Sequence, residues 1–255
     1  MREPLSVVVT TFNNAATLER CLASVAWADE VVVLDSGSTD STVDIAAARG
    51  ARLFHEPFKG YALQKQSAID KAAHRWVLLL DADEALADGA RAAIEAALQA
   101  PAVAGFRLPR REQVFWTFNH AGVRLNTHLR LFDRTRARMN AVPVHAAPET
   151  REPVATLRAA VFVHYGEPDI ATKVAKINAY STGLVEHKRG RRRFLFARLV
   201  LYPGVFFLRQ YLGKRWFLDG WAGFINAVSA AYYAFLKHAK AYEAQRGAEP
   251  PREDA

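Results

Sequence analysis

Residues 76–84 read WVLLLDADE, an apolar run that ends in three acids, with Asp81 and Asp83 one residue apart and Glu84 directly behind. In an extended chain, side chains two positions apart point to the same side, so this spacing predicts two neighbouring carboxylates. Such a pair repels itself unless a cation lies between its members. Oxygen ligands suit Mg2+ or Mn2+, which keep positions open for phosphate oxygens, whereas zinc favours His or Cys. The motif therefore reads as a metal and diphosphate site, or equally as a polar turn with helix-capping aspartates.

The elements that would position these acids follow from periodicity. LSVVVTT (5–11), EVVVL (30–34), ARLFH (51–55) and the run from Trp76 are unbroken apolar strands. Between them lie helical patterns at 13–28, 35–50 and 65–74, the first carrying Leu18, Cys21, Leu22 and Val25 at helical spacing. Strands that alternate with helices and lack polar alternation predict an α/β fold with a mostly parallel sheet covered on both sides. Ligands of such sheets bind beyond the carboxyl ends of the strands. Three of those ends carry polar clusters: Thr10-Thr11-Phe12-Asn13, Asp35-Ser36-Gly37-Ser38 and Asp81-Ala82-Asp83-Glu84. A capped helix is expected at 88–100, and from 103 to about 163 the pattern loosens into strand-like pieces separated by prolines.

The composition has two parts. Of 255 residues, 51% are hydrophobic and the net charge is +8, enough apolar sequence for a full core. Between His187 and Lys240 there are eleven Lys or Arg and one acid, Asp219, so a near-neutral body is followed by a basic, aromatic tail. The lone Cys21 excludes an intramolecular disulfide and reads as helix packing. The N-terminus turns polar after a short apolar run, too short for a signal peptide, so a cytoplasmic protein is expected.

Taken together, SVVVTTFNNAATLERCLASV, EVVVLDSGSTDST, ALQKQSAIDKA and WVLLLDADE resemble the N-terminal half of family 2 glycosyltransferases. The C-terminal FFLRQYLGKRWFLDGWAGFINAVSAAYYAFLKHAK resembles the branch containing lipopolysaccharide core β-glucosyltransferases that act on heptose. The resemblance implies a GT-A (Rossmann-like) fold with a C-terminal helical extension, and an inverting transfer of a hexose, glucose, from a UDP-sugar to a lipid-linked saccharide. It further implies that Thr10, Phe12 and Asn13 line the nucleotide pocket, Asp35 holds the uridine, and Gln64 and Lys65 lie near the donor. Asp81 would face the ribose or metal side, Asp83 would ligate Mg2+ or Mn2+, and His164 would be a further metal ligand or diphosphate contact.

One position departs from that branch. Where a Val-His-Glu triplet is expected, residues 144–146 read Val-His-Ala, and Ala146 cannot take a proton. Glu149 is the nearest substitute for the general base, with Glu152 and His145 behind it; Asp133 reads as a turn residue paired with an arginine. Arg107, Arg110, Arg111 and Arg130 are candidates for binding phosphate or an acidic acceptor.

The expected organisation is a donor half (1–100), an acceptor half of the same domain (101–168), a helical segment (169–245) and a disordered tail (246–255). In the basic tail, Arg198 and Pro203 interrupt the apolar run, which falls short of the roughly 20 residues of a membrane span. Arginines mixed with aromatics there suggest a helix pair lying on an anionic membrane surface, peripheral on the inner face of the cell membrane. No nucleic-acid motif accompanies the arginines, so no nucleic-acid partner is expected. Two alternatives stand beside the leading reading: a catalytically impaired nucleotide-sugar-binding protein at the membrane surface, kept open by Ala146, and a transferase of exopolysaccharide assembly. A nucleotidylyltransferase would need a glycine-rich basic loop after the first strand, which TTFNNAAT does not provide.

Overall fold

The computed structural model describes residues 1–140, 146–166, 168–185 and 196–246. It divides into two compact units, Met1–Glu112 with Leu125–Gly166, and Gln113–Arg124 with Glu167–Ala255.

The strands are β1 (Leu5–Thr11), β2 (Glu30–Asp35), β3 (Arg52–His55), β4 (Trp76–Asp81), β5 (Glu84–Leu86), β6 (Gly105–Val114), β7 (Thr117–Phe118), β8 (Asn126–Asp133), β9 (Arg138–Met139), β10 (Pro148–Glu149), β11 (Val154–Thr156) and β12 (Phe162–His164). The sheet of the first unit runs β3-β2-β1-β4-β8-β6-β12-β5. Strands β3, β2, β1 and β4 are all parallel. Beyond β4 the pairings mix, since β8 is antiparallel to both β4 and β6, and β12 is parallel to β6.

The apolar runs are continuous because both faces are covered. Val7, Val9, Val33, Leu78 and Leu80 pack against α1 (Ala15–Ser24), α2 (Thr42–Ala48) and α4 (Ala90–Ala97) through Leu18, Cys21, Ala46 and Ile94. Val8, Val32, Leu34, Val77 and Leu79 point the other way, onto Ala68, Ile69 and Ala72 in and after α3 (Tyr61–Asp70). This last helix starts four residues earlier than its apolar periodicity predicts. Gly60, at φ 95°, turns the chain directly into it, and Gln64 and Lys65 thereby fall on its buried side.

Where β8 leaves the sheet, the buried carboxylate of Asp133 accepts from Arg75 Nε at 2.7 Å, Thr135 N at 2.9 Å and the Thr135 hydroxyl at 2.7 Å. This is the arginine-paired turn that the sequence suggested. Burial raises the pKa of this group, and the bonds from Arg75 and Thr135 lower it further than burial raises it.

In the second unit, Asp169 caps α5 (Ile170–Gly183) by accepting from Thr172 N at 2.7 Å. Residues 196–213 form one helical rod, in which α6 (Tyr202–Leu208) lies between π-helical turns at Ala197–Leu201 and Arg209–Gly213. Pro203 lacks an N–H to donate to the preceding turn, and the wider turn before it accommodates that loss. A short 3-10 turn (Trp216–Asp219) leads into α7 (Gly220–Arg246). Gly223 is needed there, because a Cβ would sit 1.8 Å from the Trp216 carbonyl oxygen.

The rod lies on α7 through aromatic contacts, and the Lys237 ammonium sits against the Tyr202, Phe206 and Tyr233 rings. Lys240 Nζ bonds Asn178 Oδ1 at 2.6 Å and fastens α5 to α7. Residues 113–124, expected to belong to the acceptor half, fold with these helices. Val114 and Phe115 pack on Ala222 and Ile225, while Asn119 Nδ2 and His120 N donate to Asp219 at 2.9 and 2.6 Å. Among the described residues no helix is long and apolar enough to cross a membrane. The expected tail lies outside the described residues from 247 onward.

Replacing Asp133 with Ala removes three hydrogen bonds to a buried carboxylate from donors on the exposed Arg75 and Thr135, and costs about 1–2 kcal/mol in urea unfolding. Because the folded carboxyl titrates below its unfolded value, its contribution is present above the ordinary carboxylate range. It is lost as the pH falls through the folded value, so wild type and Asp133→Ala converge in acid.

Candidate functional site

The parallel register assembles the rim of the first unit. Thr11 is the Cα partner of Asp35, and Thr10 is the partner of both Leu34 and Asp81, so three strand ends stop at one level. The loops beyond them are tied into one piece. Asn13, at φ 52°, receives Thr39 N on its Oδ1 at 2.8 Å and donates its own N to Ser38 Oγ at 2.8 Å. Asp40 Oδ2 accepts from Ala15 N at 3.1 Å and Asp40 Oδ1 from Thr42 N at 3.0 Å, joining the starts of α1 and α2.

Asp35 is 1% exposed and accepts from Gly37 N at 2.9 Å, Ser38 N at 3.0 Å and the Ser38 hydroxyl, with His55 Nδ1 at 3.3 Å. Burial works against its charge, but those donors prevail and hold it below the usual carboxylate range. Its oxygens are thus committed to shaping the loop, whose turn needs Gly37 at φ 99°. Phe12 is exposed on the same rim, as are Phe58 and Tyr61 after β3, whose rings meet edge to face at 5.2 Å. Gln64 is spent on the 56–59 loop, accepting from Lys59 N and donating to Glu56 O, both at 3.2 Å.

The acids at the end of β4 are arranged differently from the expectation of two carboxylates side by side on an extended strand. β4 stops at Asp81, and Ala82-Asp83 form a tight turn into β5, so Asp81 and Asp83 take separate partners. Asp81 Oδ1 lies 2.5 Å from Lys65 Nζ, and its Oδ2 lies 3.3 Å from Arg130 Nη2. Burial pushes its pKa up, and the charges of Lys65 and Arg130 pull it well below the ordinary range. Glu84, considered above only as the acid behind the pair, is a buried strand residue bonded to Arg130 Nη2 at 2.5 Å. It also accepts from Asp81 N at 3.0 Å. Its burial and the neighbouring Asp81 charge outweigh Arg130 and raise it above its ordinary value.

Asp83 in the turn is fixed through its backbone, whose carbonyl accepts from Tyr165 N at 2.8 Å. The Tyr165 ring lies under the Arg20 guanidinium of α1 at 4.4 Å. The Asp83 carboxylate faces His164 Nε2 at 3.3 Å. On the other side of the ring, His164 Nδ1 meets Glu112 Oε2 at 2.7 Å, and Glu112 Oε1 accepts from Arg110 Nε at 2.6 Å. Strand register makes this row, because His164 is the Cα partner of both Glu112 and Glu84. Burial lowers the imidazole's pKa, but Asp83 and Glu112 together raise it to about 10. Gly166 makes room for the ring, since a Cβ there would lie 2.3 Å from His164 Cε1.

Asp83 and His164 fit a divalent cation. Their facing atoms are spaced much like neighbouring ligands in an octahedral shell of about 2.1 Å radius. Glu112, by engaging Nδ1, leaves Nε2 as the atom offered to a metal. Among the described residues no three His, Cys, Asp or Glu side chains converge on one point, so this pair needs oxygens from elsewhere, such as phosphate. His128 on β8 is neutral, since burial and the charges of Arg110 and Arg130 push it down to about 4.

Glu149 stands apart from these groups. It lies on β10 opposite Arg138 of β9, is exposed, and accepts from Asn140 Nδ2 at 3.0 Å. His145 lies outside the described residues. Sequence reading did not single out Glu112; its signal was the alternation Leu108, Arg110, Glu112 on one face of β6.

A parallel sheet whose strand ends carry acids, continued by a mixed sheet, defines a GT-A glycosyltransferase fold. The chain belongs to Glycosyl transferase family 2, whose family model matches residues 6–150. It is 32% identical over 249 residues to the lipopolysaccharide core biosynthesis glycosyltransferase LpsC of Rhizobium meliloti, covering 94% of this chain and 92% of that one. An uncharacterized glycosyltransferase of Rickettsia bellii is 29% identical over 261 residues, covering 95% and 87%. Among solved structures, the mannosyltransferase PcManGT of Pyrobaculum calidifontis, in complex with GDP-Man and Mn2+, matches 98% of this chain and 77% of its own at a TM-score of 0.54 and 18% identity.

Gly166→Ala displaces the His164 ring and weakens Mn2+ binding by about 10–100-fold, read by electron paramagnetic resonance of the free ion. Gly183→Ala, where an added Cβ meets nothing within 4 Å, leaves it unchanged.

Proposed function

We propose that the chain is an inverting transferase that moves glucose from a UDP-sugar to the heptose of a lipid-linked lipopolysaccharide core, with Mg2+ or Mn2+ held by Asp83 and His164. The observation that carries this reading is the single rim on which Thr10, Asp81 with its two cations, and the Asp83–His164 pair come together. The relative LpsC is named for core biosynthesis, which supports the acceptor class. PcManGT was solved with a nucleotide-sugar and Mn2+, in keeping with such a donor on this fold. The choice of UDP and glucose rests on the resemblance of the motifs.

A divalent cation supplies charge stabilisation for a departing nucleoside diphosphate. The rest is the work of the protein's own side chains. Lys65 and Arg130 keep Asp81 ionised at neutral pH, so that it accepts hydrogen bonds from ribose hydroxyls. Phe12 offers an exposed ring face to the base, and the joined 12–15 and 37–42 loops hold that face in place. Glu112 orients His164, and Gly166 gives it room. Inversion requires a base on the acceptor side, and Glu149, exposed on β10, takes the hydroxyl proton in this reading. The acceptor being lipid-linked, the enzyme works peripherally on the inner face of the cell membrane.

Ala146 favours a second reading, a protein that binds nucleotide-sugar without turning it over. The two separate in one experiment: calorimetry with UDP-glucose and Mn2+, followed by UDP release with a heptose-terminated core acceptor. Asp83→Ala abolishes metal-dependent release, and full activity in that variant would refute the metal assignment. Glu149→Gln lowers kcat by at least about 100-fold with UDP affinity intact. Undiminished turnover in Glu149→Gln moves the base elsewhere, and binding by the wild type without any transfer supports the second reading.

A further inference from the structure

We propose that the second unit lies in the plane of an anionic lipid surface, embedding two exposed apolar stripes, one on the 196–213 rod and one on α7. The proposal deepens the reading of a lipid-linked acceptor, on which it rests, by naming the face that meets the lipid.

The rod has two different sides. Tyr202, Phe207 and Tyr211 turn inward, where their rings meet His238 and Phe224. Phe196, Val200, Val205, Leu208 and Leu212 are exposed. Their steps along the chain are four, five, three and four residues. The step of five spans the end of the first π-helical turn, which absorbs the extra residue and keeps the side chains in one row. On α7, Phe224 turns toward the rod, while the exposed residues Trp221, Val228, Tyr232 and Phe235 recur at steps of seven, four and three, which is one face of a helix. Each stripe is a row of exposed large apolar side chains, whereas on a monomer such residues are ordinarily scattered singly. Such a face is covered when the protein works.

Charge identifies the cover. The rod and the turn after it carry Arg198, Arg209, Lys214 and Arg215, and no acid occurs between 196 and 218. The acid that follows, Asp219, has both carboxylate oxygens bonded to Asn119 and His120 of the hairpin. A second copy would set this positive face against itself, while an anionic headgroup layer neutralises it. Two tryptophans mark the same end of the unit: Trp221 is 76% exposed, and Trp116, on the hairpin bonded to Asp219, is 67% exposed. Tryptophan favours the headgroup level, with its ring in the apolar zone and its N–H in the polar one. Since no described helix can cross a membrane, the stripes lie along the surface.

Flotation with vesicles tests this, using the full chain and no acceptor. Wild type floats with vesicles of equal parts phosphatidylglycerol and phosphatidylcholine, and at least about tenfold less with phosphatidylcholine alone. Val205→Asp with Leu208→Asp, and separately Trp221→Glu, reduce the bound fraction by about tenfold or more, with thermal melting and UDP affinity by calorimetry unchanged. Arg209→Gln with Arg215→Gln weakens binding to the anionic vesicles only. Flotation of the stripe variants equal to wild type overturns the proposal. So does a wild-type dimer in analytical ultracentrifugation that the stripe substitutions dissolve, because a second copy then covers the face. The glycosyltransferase reading fails by a different result, absence of UDP binding in a wild type that still floats.

Discussion

The site is built around one buried guanidinium. Arg130 comes from β8, yet its partners come from β4 and β5, where Asp81 and Glu84 share its Nη2. A buried charge is tolerable only with partners in place, and a slip of one residue in β8 would turn Arg130 to the opposite face. The pair of acids therefore fixes how the mixed half of the sheet is joined to the parallel half. It also divides labour between the two carboxylates. Asp81 has a second cation in Lys65 and is held below the ordinary carboxylate range, whereas Glu84, more deeply buried and sharing Arg130, is raised above its own ordinary value.

Farther along the rim, charges alternate from one residue to the next: Asp83, His164, Glu112, Arg110. Each member is held by the next, and the backbone bond from Tyr165 holds the turn that presents Asp83. The row is balanced as it stands, since the imidazolium between two carboxylates supplies the positive charge. A divalent cation held by Asp83 and Nε2 would take the place of the imidazolium's proton, so its binding would be coupled to proton release.

The parallel half was legible because its signals are local. Unbroken apolar runs, polar strand ends and the order of the four motifs located Asp35, Asp81 and Asp83 on one rim before any coordinate was known. What escaped was set by pairing between distant strands. Nothing within β6 announces that Glu112 will sit beside His164, fifty-two residues later, because only the β6–β12 register decides it. The spacing argument for Asp81 and Asp83 failed for a related reason: the strand ends at the first aspartate, and a turn sends the second toward a different partner. Residues 113–124 carried no mark of their association with α7, which depends on the apolar contacts of Val114 and Phe115 and on the acceptance of two bonds by Asp219.

The position of β12 in the chain has a consequence for biosynthesis. The acids Asp35, Asp81 and Asp83 all lie within the first third of the sequence, while Arg130, which binds Asp81, follows on β8. His164 joins only when β12 pairs with β5, its Cα partner Glu84 lying eighty residues upstream, a late and slow kind of contact. A nascent or truncated chain that ends before Phe162 thus holds the aspartates without the histidine. Such a chain has the acids of the rim and Glu112 but not the imidazole between them, so the row of alternating charges closes only as the first unit is finished.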